Sequence, residues 1–147
     1  MTFPHRPGDP PIPSLPVPLL PRLVRWSGVF VCVAIISYFS ILATVSSPGG
    51  DSPLWDKQLH FLAYAGLTVA TAYATATWRR STADRAIAVL VAVLGFGLVI
   101  ELLQGAIPTR QFSPLDLVAN VIGVALGSLW FLVERYVDYR PTPGEST

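Results

Sequence analysis

Four apolar stretches, each close to the ~20 residues a helix needs to cross a hydrocarbon core, occupy most of this chain. They run at roughly residues 24–46, 59–78, 86–104 and 115–137. Only 13% of the 147 residues are charged, about half the ~25% usual in soluble domains, so too little polar surface exists to wrap a water-facing globule. A mean hydropathy of +0.53 excludes disorder for most of the chain as well. The formal net charge of +1 gives no basis for binding nucleic acid through phosphate neutralisation. One cysteine, Cys32, allows neither an internal disulfide nor a cysteine-based metal site. The expected fold is therefore an all-α integral membrane protein, a bundle of four transmembrane helices.

The apolar stretches are separated by turn chemistry: Ser47-Pro48-Gly49-Gly50, Arg79-Arg80-Ser81, Pro108 and Ser113-Pro114. Residues 1–23 carry eight of the fourteen prolines. Proline lacks the amide that a helix needs, so this segment is expected to be extended, polyproline-like or disordered. The division that follows is a disordered proline-rich tail at 1–23, a four-helix domain at 24–137 and a short polar tail at 138–147. The first stretch exceeds the 7–15 residues usual for a signal-peptide core and follows a long tail, so it is expected to be an uncleaved span.

Orientation follows from the basic residues. With four spans, Arg6, Arg22, Arg25, Arg79, Arg80, Arg85, Arg135 and Arg140 share one side, and only Lys57 and Arg110 lie on the other. Excess Lys and Arg mark the cytoplasmic side. The expected location is the cell membrane, multi-pass, with both termini cytoplasmic and the loops 47–58 and 105–114 outward.

The unusual polar residues gather on that outward side. Asp56, His60 and Tyr64 are four apart, a drift of about 40° per step, so they form one helical stripe that Thr68, Thr71 and Thr75 extend. Glu101 and Gln104 share a face near the outer end of the third span. Asp116 and Asn120 open the fourth, with Gly123 and Gly127 continuing their face. Lys57 and Arg110 flank the group. Ionisable groups at this depth are costly and face a bundle interior or a watery cavity.

These residues carry a family resemblance. Asp56-Lys57-x-x-His60-Phe61-x-x-Tyr64 resembles the first signature of the VanZ-like family of small membrane proteins. Glu101-x-x-Gln104, followed by Arg110-x-x-Ser113-x-x-Asp116-x-x-x-Asn120-x-x-Gly123-x-x-x-Gly127, resembles the second. The family is named after a protein associated with resistance to the glycopeptide teicoplanin. The resemblance implies an envelope context and a role in teicoplanin tolerance, without supplying a reaction.

Simpler readings compete at individual positions. Ser113, Pro114 and Asp116 make a good helix cap without further purpose. Gly123 and Gly127 have the spacing of close helix packing in lipid. Trp55, Trp78 and Tyr136 suit an interfacial belt.

Two functional classes follow. In the favoured, non-enzymatic one, Asp56, Lys57, His60, Tyr64, Glu101, Gln104, Arg110, Asp116 and Asn120 form an outward pocket. It would bind a lipid headgroup, a cell-wall precursor or a glycopeptide. In the alternative, a membrane-embedded enzyme acts on a lipid-linked substrate, with His60 as general base alongside Glu101 and Asp116. No cofactor is expected. No metal is expected either, because one histidine among carboxylates suits zinc poorly and no H-E-x-x-H spacing occurs. The partner is the bilayer, and the oligomeric state is left open.

Overall fold

The computed structural model describes residues 14–42, 53–108 and 112–142, without the side chains of 53–56. Strand β1 (Leu15–Leu19) leads into helix α1 (Arg22–Ser37), which continues as a π-helical turn over Tyr38–Leu42. Helices α2 (Pro53–Ala74), α3 (Thr82–Ala106) and α4 (Pro114–Ser128) follow. A short α5 (Trp130–Val133), a 3-10 turn and strand β2 (Val137–Pro141) close the described chain.

Local chemistry explains the helix starts. Ser81 caps α3, its hydroxyl oxygen accepting the Asp84 amide at 3.0 Å. Ser113 caps α4 in the same way, accepting from the Asp116 amide at 3.3 Å, with Pro114 supplying a pre-set first turn.

The side-chain links establish that successive helices run antiparallel. Arg25 at the start of α1 donates to the carbonyls of Tyr73 and Ala74 at the end of α2. Gln104 at the end of α3 donates to the Ser40 carbonyl at the end of α1. Lys57 and Asp116, near the starts of α2 and α4, form an ion pair.

Helix α2 is the hub, packed on α1, α3 and above all α4. The α2–α4 approach depends on two glycines. A Cβ at Gly123 would lie 2.3 Å from the Phe61 carbonyl oxygen, and one at Gly127 would lie 2.7 Å from that of Ala65. Only a residue without a side chain lets the backbones meet this closely. The core around them contains Tyr64, Leu67, Val89, Val93, Val124 and Phe131.

The outside is apolar too. Leu23, Phe30, Ile87, Val91, Leu102, Leu115, Val118 and Leu132 are all exposed. An apolar surface of that extent belongs against another apolar phase. Among the described residues, three helices are long and apolar enough to cross a membrane: Arg22–Leu42, Thr82–Ala106 and Pro114–Tyr136. Helix α2 is not one of them, because Lys57, Gln58 and His60 at its start lower its hydropathy.

One expectation changes. Residues 15–19 are not a disordered tail: β1 pairs in parallel with β2, Leu15 opposite Val137 through Leu19 opposite Pro141. Successive amides of a strand point to opposite edges, so prolines at alternate positions 16 and 18 leave the other edge free to pair. The Tyr73 hydroxyl fastens this strand, donating to the Pro18 carbonyl at 2.7 Å and accepting the Leu20 amide at 3.0 Å. The chain is thus mostly helical with a small two-stranded addition. The fourth apolar stretch is helical from Pro114 to Tyr136, as expected, with Leu129 in helical conformation between α4 and α5 and a 3-10 turn at its end. The rest of the proline-rich tail, residues 1–13, lies outside the described residues, as do 43–52.

Candidate functional site

At the end of the bundle where α2 and α4 begin and α3 finishes, five polar side chains meet. Helix α2 contributes Lys57 and His60, α3 contributes Glu101, and α4 contributes Asp116 and Asn120. The three-residue spacing on α2 and the four-residue spacing on α4 keep each pair on one face.

Lys57 joins the starts of α2 and α4. Its ammonium pairs with Asp116 Oδ1 and donates to the Ser113 hydroxyl at 3.4 Å. His60 Nδ1 lies 3.1 Å from Asn120 Oδ1, while Nε2 lies 4.0 Å from Asp116 Oδ2. Glu101 is 0% exposed, and its Oε2 accepts the Ser113 backbone amide at 3.2 Å. The Ser113 amide therefore ties α3 to the start of α4, while its hydroxyl caps α4.

Several buried atoms around this group have no hydrogen-bond partner among the described residues: Glu101 Oε1, the Tyr64 hydroxyl and Asn120 Nδ2. A buried polar atom left unpaired costs about 1–3 kcal/mol, more when charged. Three such atoms close together are therefore a feature to explain. Single ligand atoms of His60, Glu101 and Asp116 also lie within 4.8 Å of one another, all three residues being buried. Donor type alone argues against a metal here, and the proximity of the three donors arises only in the fold.

The other proposed residues are placed as follows. Tyr64 is fully buried, its ring parallel to His60 at a centroid distance of 6.4 Å. Gln104 is buried but turned toward α1, where Nε2 donates to the Ser40 carbonyl at 2.9 Å. Arg110 and the side chain of Asp56 lie outside the described residues. The threonine stripe is self-satisfied: Thr68, Thr71 and Thr75 donate to the carbonyls of Tyr64, Leu67 and Thr71, four residues back. It lines the helix without offering a hydroxyl proton to a ligand. Beside Lys57, a cavity of about 260 Å³ runs between α2 and α4, lined by Gln58, Phe61, Ala119 and Ile122.

Two contributors went unrecognised in the sequence. Gly97 stands one turn before Glu101, and a Cβ there would lie 2.9 Å from Tyr64 Cε1 and 3.3 Å from Asn120 Nδ2. Its four-residue offset from Glu101 was the available signal. Ser40 acts through its carbonyl, which leaves no mark on residue type.

Of the signature residues, Lys57, His60, Glu101, Asp116 and Asn120 come together in space. The model of the VanZ/LLP1 family matches residues 18–135. The chain belongs to the VanZ/LLP1 family. No curated protein matches it, and no solved structure does. As a VanZ-like protein with apolar helices of spanning length, it is a membrane protein. The match begins at Pro18, so the family domain includes the end of β1 as well as α1 through α4.

Proposed function

We propose that this VanZ-like protein is a four-span protein of the cell envelope whose outward polar cluster binds a lipid headgroup or lipid-linked cell-wall precursor. The observation that carries the reading is Glu101: a carboxylate with no exposed surface, one oxygen of which has no partner among the described residues. A residue needed only for packing would be leucine there, without the cost of burying a carboxylate. The cavity beside Lys57 supplies an approach between α2 and α4 for a headgroup still attached to its chain. Lys57 and Arg110 suit a phosphate or carboxylate, and Glu101 and Asp116 suit amines or hydroxyls. Binding a glycopeptide or its cell-wall target at the same place would give teicoplanin tolerance.

The orientation is part of the proposal. Arg22, Arg25, Arg79, Arg80, Arg85, Arg135 and Arg140 belong to the opposite end of the chain's helical path, which supports that end as cytoplasmic. Reporter fusions after residues 50, 82, 110 and 147 should read out, in, out and in. A cytoplasmic signal at 50 or 110 would overturn an outward-facing site.

Native mass spectrometry of the detergent-extracted protein tests the ligand. Wild type and Arg80→Ala should retain a lipid-like adduct. Glu101→Gln, His60→Ala, Arg110→Ala and Asn120→Ala should lose it while still inserting, and Asp116→Asn should be intermediate because asparagine still caps α4. Equal adducts in all variants would reduce the cluster to a structural patch.

A second reading is favoured by His60. Its Nδ1 is held by Asn120 while Nε2 faces the cluster, the arrangement of a positioned general base acting on a lipid-linked substrate. Release of a cleaved product with turnover, in place of one retained adduct per chain, would select it.

A further inference from the structure

Three buried groups, His60, Glu101 and Asp116, converge at the end of the bundle where α2 and α4 begin. Their exposures are 9%, 0% and 6%, and their ligand atoms lie within 4.8 Å of one another. Two carboxylates meet there with Lys57 as the cation on Asp116. Among the described residues Glu101 has a neutral backbone amide on Oε2, and Oε1 has no partner. Buried carboxylates are normally paired or coordinate a metal. The cluster thus holds a carboxylate oxygen suited to a further positive charge.

The histidine is set up to complete such a site. Asn120 Oδ1 can only accept, so the Nδ1 atom 3.1 Å away carries the proton. The lone pair is then on Nε2, which lies 4.0 Å from Asp116 Oδ2, too far for a hydrogen bond. Fixing one ring nitrogen through a side-chain oxygen so that the other points at a cation is how proteins orient a ligating histidine. Three donors bound to one ion at about 2.1 Å sit roughly 3–3.6 Å apart, so the three atoms would draw in by about an ångström, within the reach of side-chain rotation.

We propose that His60 Nε2, Glu101 and Asp116 bind one divalent transition-metal ion, with Asn120 as the residue that orients the ring. One imidazole with two carboxylates suits Mn²⁺ or a similar borderline ion better than Ca²⁺ or a thiolate-seeking metal. Lys57 has a defined part: its ammonium sits on Asp116 Oδ1 and competes with the ion for the charge of that carboxylate. The inference deepens the headgroup-binding reading and rests on it for the ion's use, which is to offer its open positions to a phosphate or carboxylate of the headgroup.

The test is an Mn²⁺ titration of the full chain in detergent after EDTA treatment, with free Mn²⁺ read by electron paramagnetic resonance. Wild type should bind one ion per chain. Glu101→Gln and Asp116→Asn, which preserve shape, should weaken binding at least tenfold at unchanged helicity. Asn120→Ala should weaken it less, because the ligands remain. Lys57→Met should tighten binding several-fold, a direction that a merely structural ion pair would not produce. Absence of saturable binding in wild type, equal binding in Glu101→Gln, or weaker binding in Lys57→Met would overturn the site. Should His60→Ala fail to insert, the two isosteric carboxylate variants decide alone. The two readings fail separately: a lipid adduct retained in EDTA by a protein that binds no Mn²⁺ removes the metal and keeps the headgroup. Stoichiometric Mn²⁺ with no adduct does the reverse.

Discussion

At the end of the bundle where α1 and α3 begin, Arg25 and Arg85 are buried among backbone carbonyls and a carboxylate. Arg25 donates to the Tyr73 and Ala74 carbonyls and the Thr77 hydroxyl. Arg85 pairs with Glu134 and lies over the Phe131 ring, and Glu134 also accepts from the Tyr139 hydroxyl at 2.8 Å. At the other end, the atoms without partners among the described residues are mostly oxygens, Glu101 Oε1, Gln104 Oε1 and the Tyr64 hydroxyl, beside Asn120 Nδ2. Those at the arginine end are N–H donors, Arg25 Nε, Arg85 Nε and Trp130 Nε1. The two ends bury charge at similar depth but to different purposes. Charge that closes on itself locks helices together, whereas charge left with acceptors pointing inward is suited to receive a cation.

The comparison breaks most visibly if stability and binding do not separate between the ends. Arg85→Ala leaves Glu134 buried without its cation, which should cost about 3–5 kcal/mol of stability in a reversible detergent unfolding assay. Glu101→Gln should leave unfolding nearly unchanged while abolishing ligand retention. A large stability loss from Glu101→Gln would make the two ends alike.

A smaller effect is expected midway between the ends. Gly127→Leu forces α2 and α4 apart at the Ala65 carbonyl and should destabilise by about 1–3 kcal/mol, in line with overpacking. It should also weaken the cluster, which spans the same two helices. Gly66→Ala, where a Cβ meets nothing within 4 Å, should be tolerated. Thermal unfolding of both variants in one detergent makes the contrast, and equal loss would remove the packing role.

Ser113→Ala sharpens the picture at about 1 kcal/mol. It removes the α4 cap but leaves the backbone amide that serves Glu101. Stability should fall slightly while ligand retention persists, measured on the same preparation.

The smallest effect concerns pH at the arginine end. Burial pushes the Tyr139 phenol above its ordinary value near 10. The native state therefore holds this proton more tightly than the unfolded chain. The associated stability is present below about pH 10 and is lost as pH rises beyond it. Tyr139→Phe should flatten the alkaline decline relative to wild type in unfolding measured from pH 9 to 11. An identical decline in both would separate Tyr139 from the titration.

Much of this was legible along the chain. Helical spacing put His60 with Tyr64 and Asp116 with Asn120 on common faces, and the four-residue step from Gly123 to Gly127 marked the seam that meets α2. Ser113-Pro114-x-Asp116 announced the start of α4. What was not legible has a common cause. The pairing of β1 with β2 joins residues more than a hundred positions apart, and a proline-rich segment has no periodicity that names its partner. The local tightening at Leu129 falls inside one apolar helical run and has no mark in residue type.

The sequence by itself determined the membrane character, the helical periods and which face of each helix is polar, because these depend on residue type and a fixed rise and twist. Only the tertiary structure decided which polar faces meet. It set Lys57 against Asp116, brought the Ser113 amide to Glu101, turned Gln104 away to Ser40, and used Gly97 to make room for the Tyr64 ring. Helical periodicity specifies a direction around one axis. The convergence of His60, Glu101 and Asp116 depends on the distances and rotations among three axes, and those are set by the packing between them.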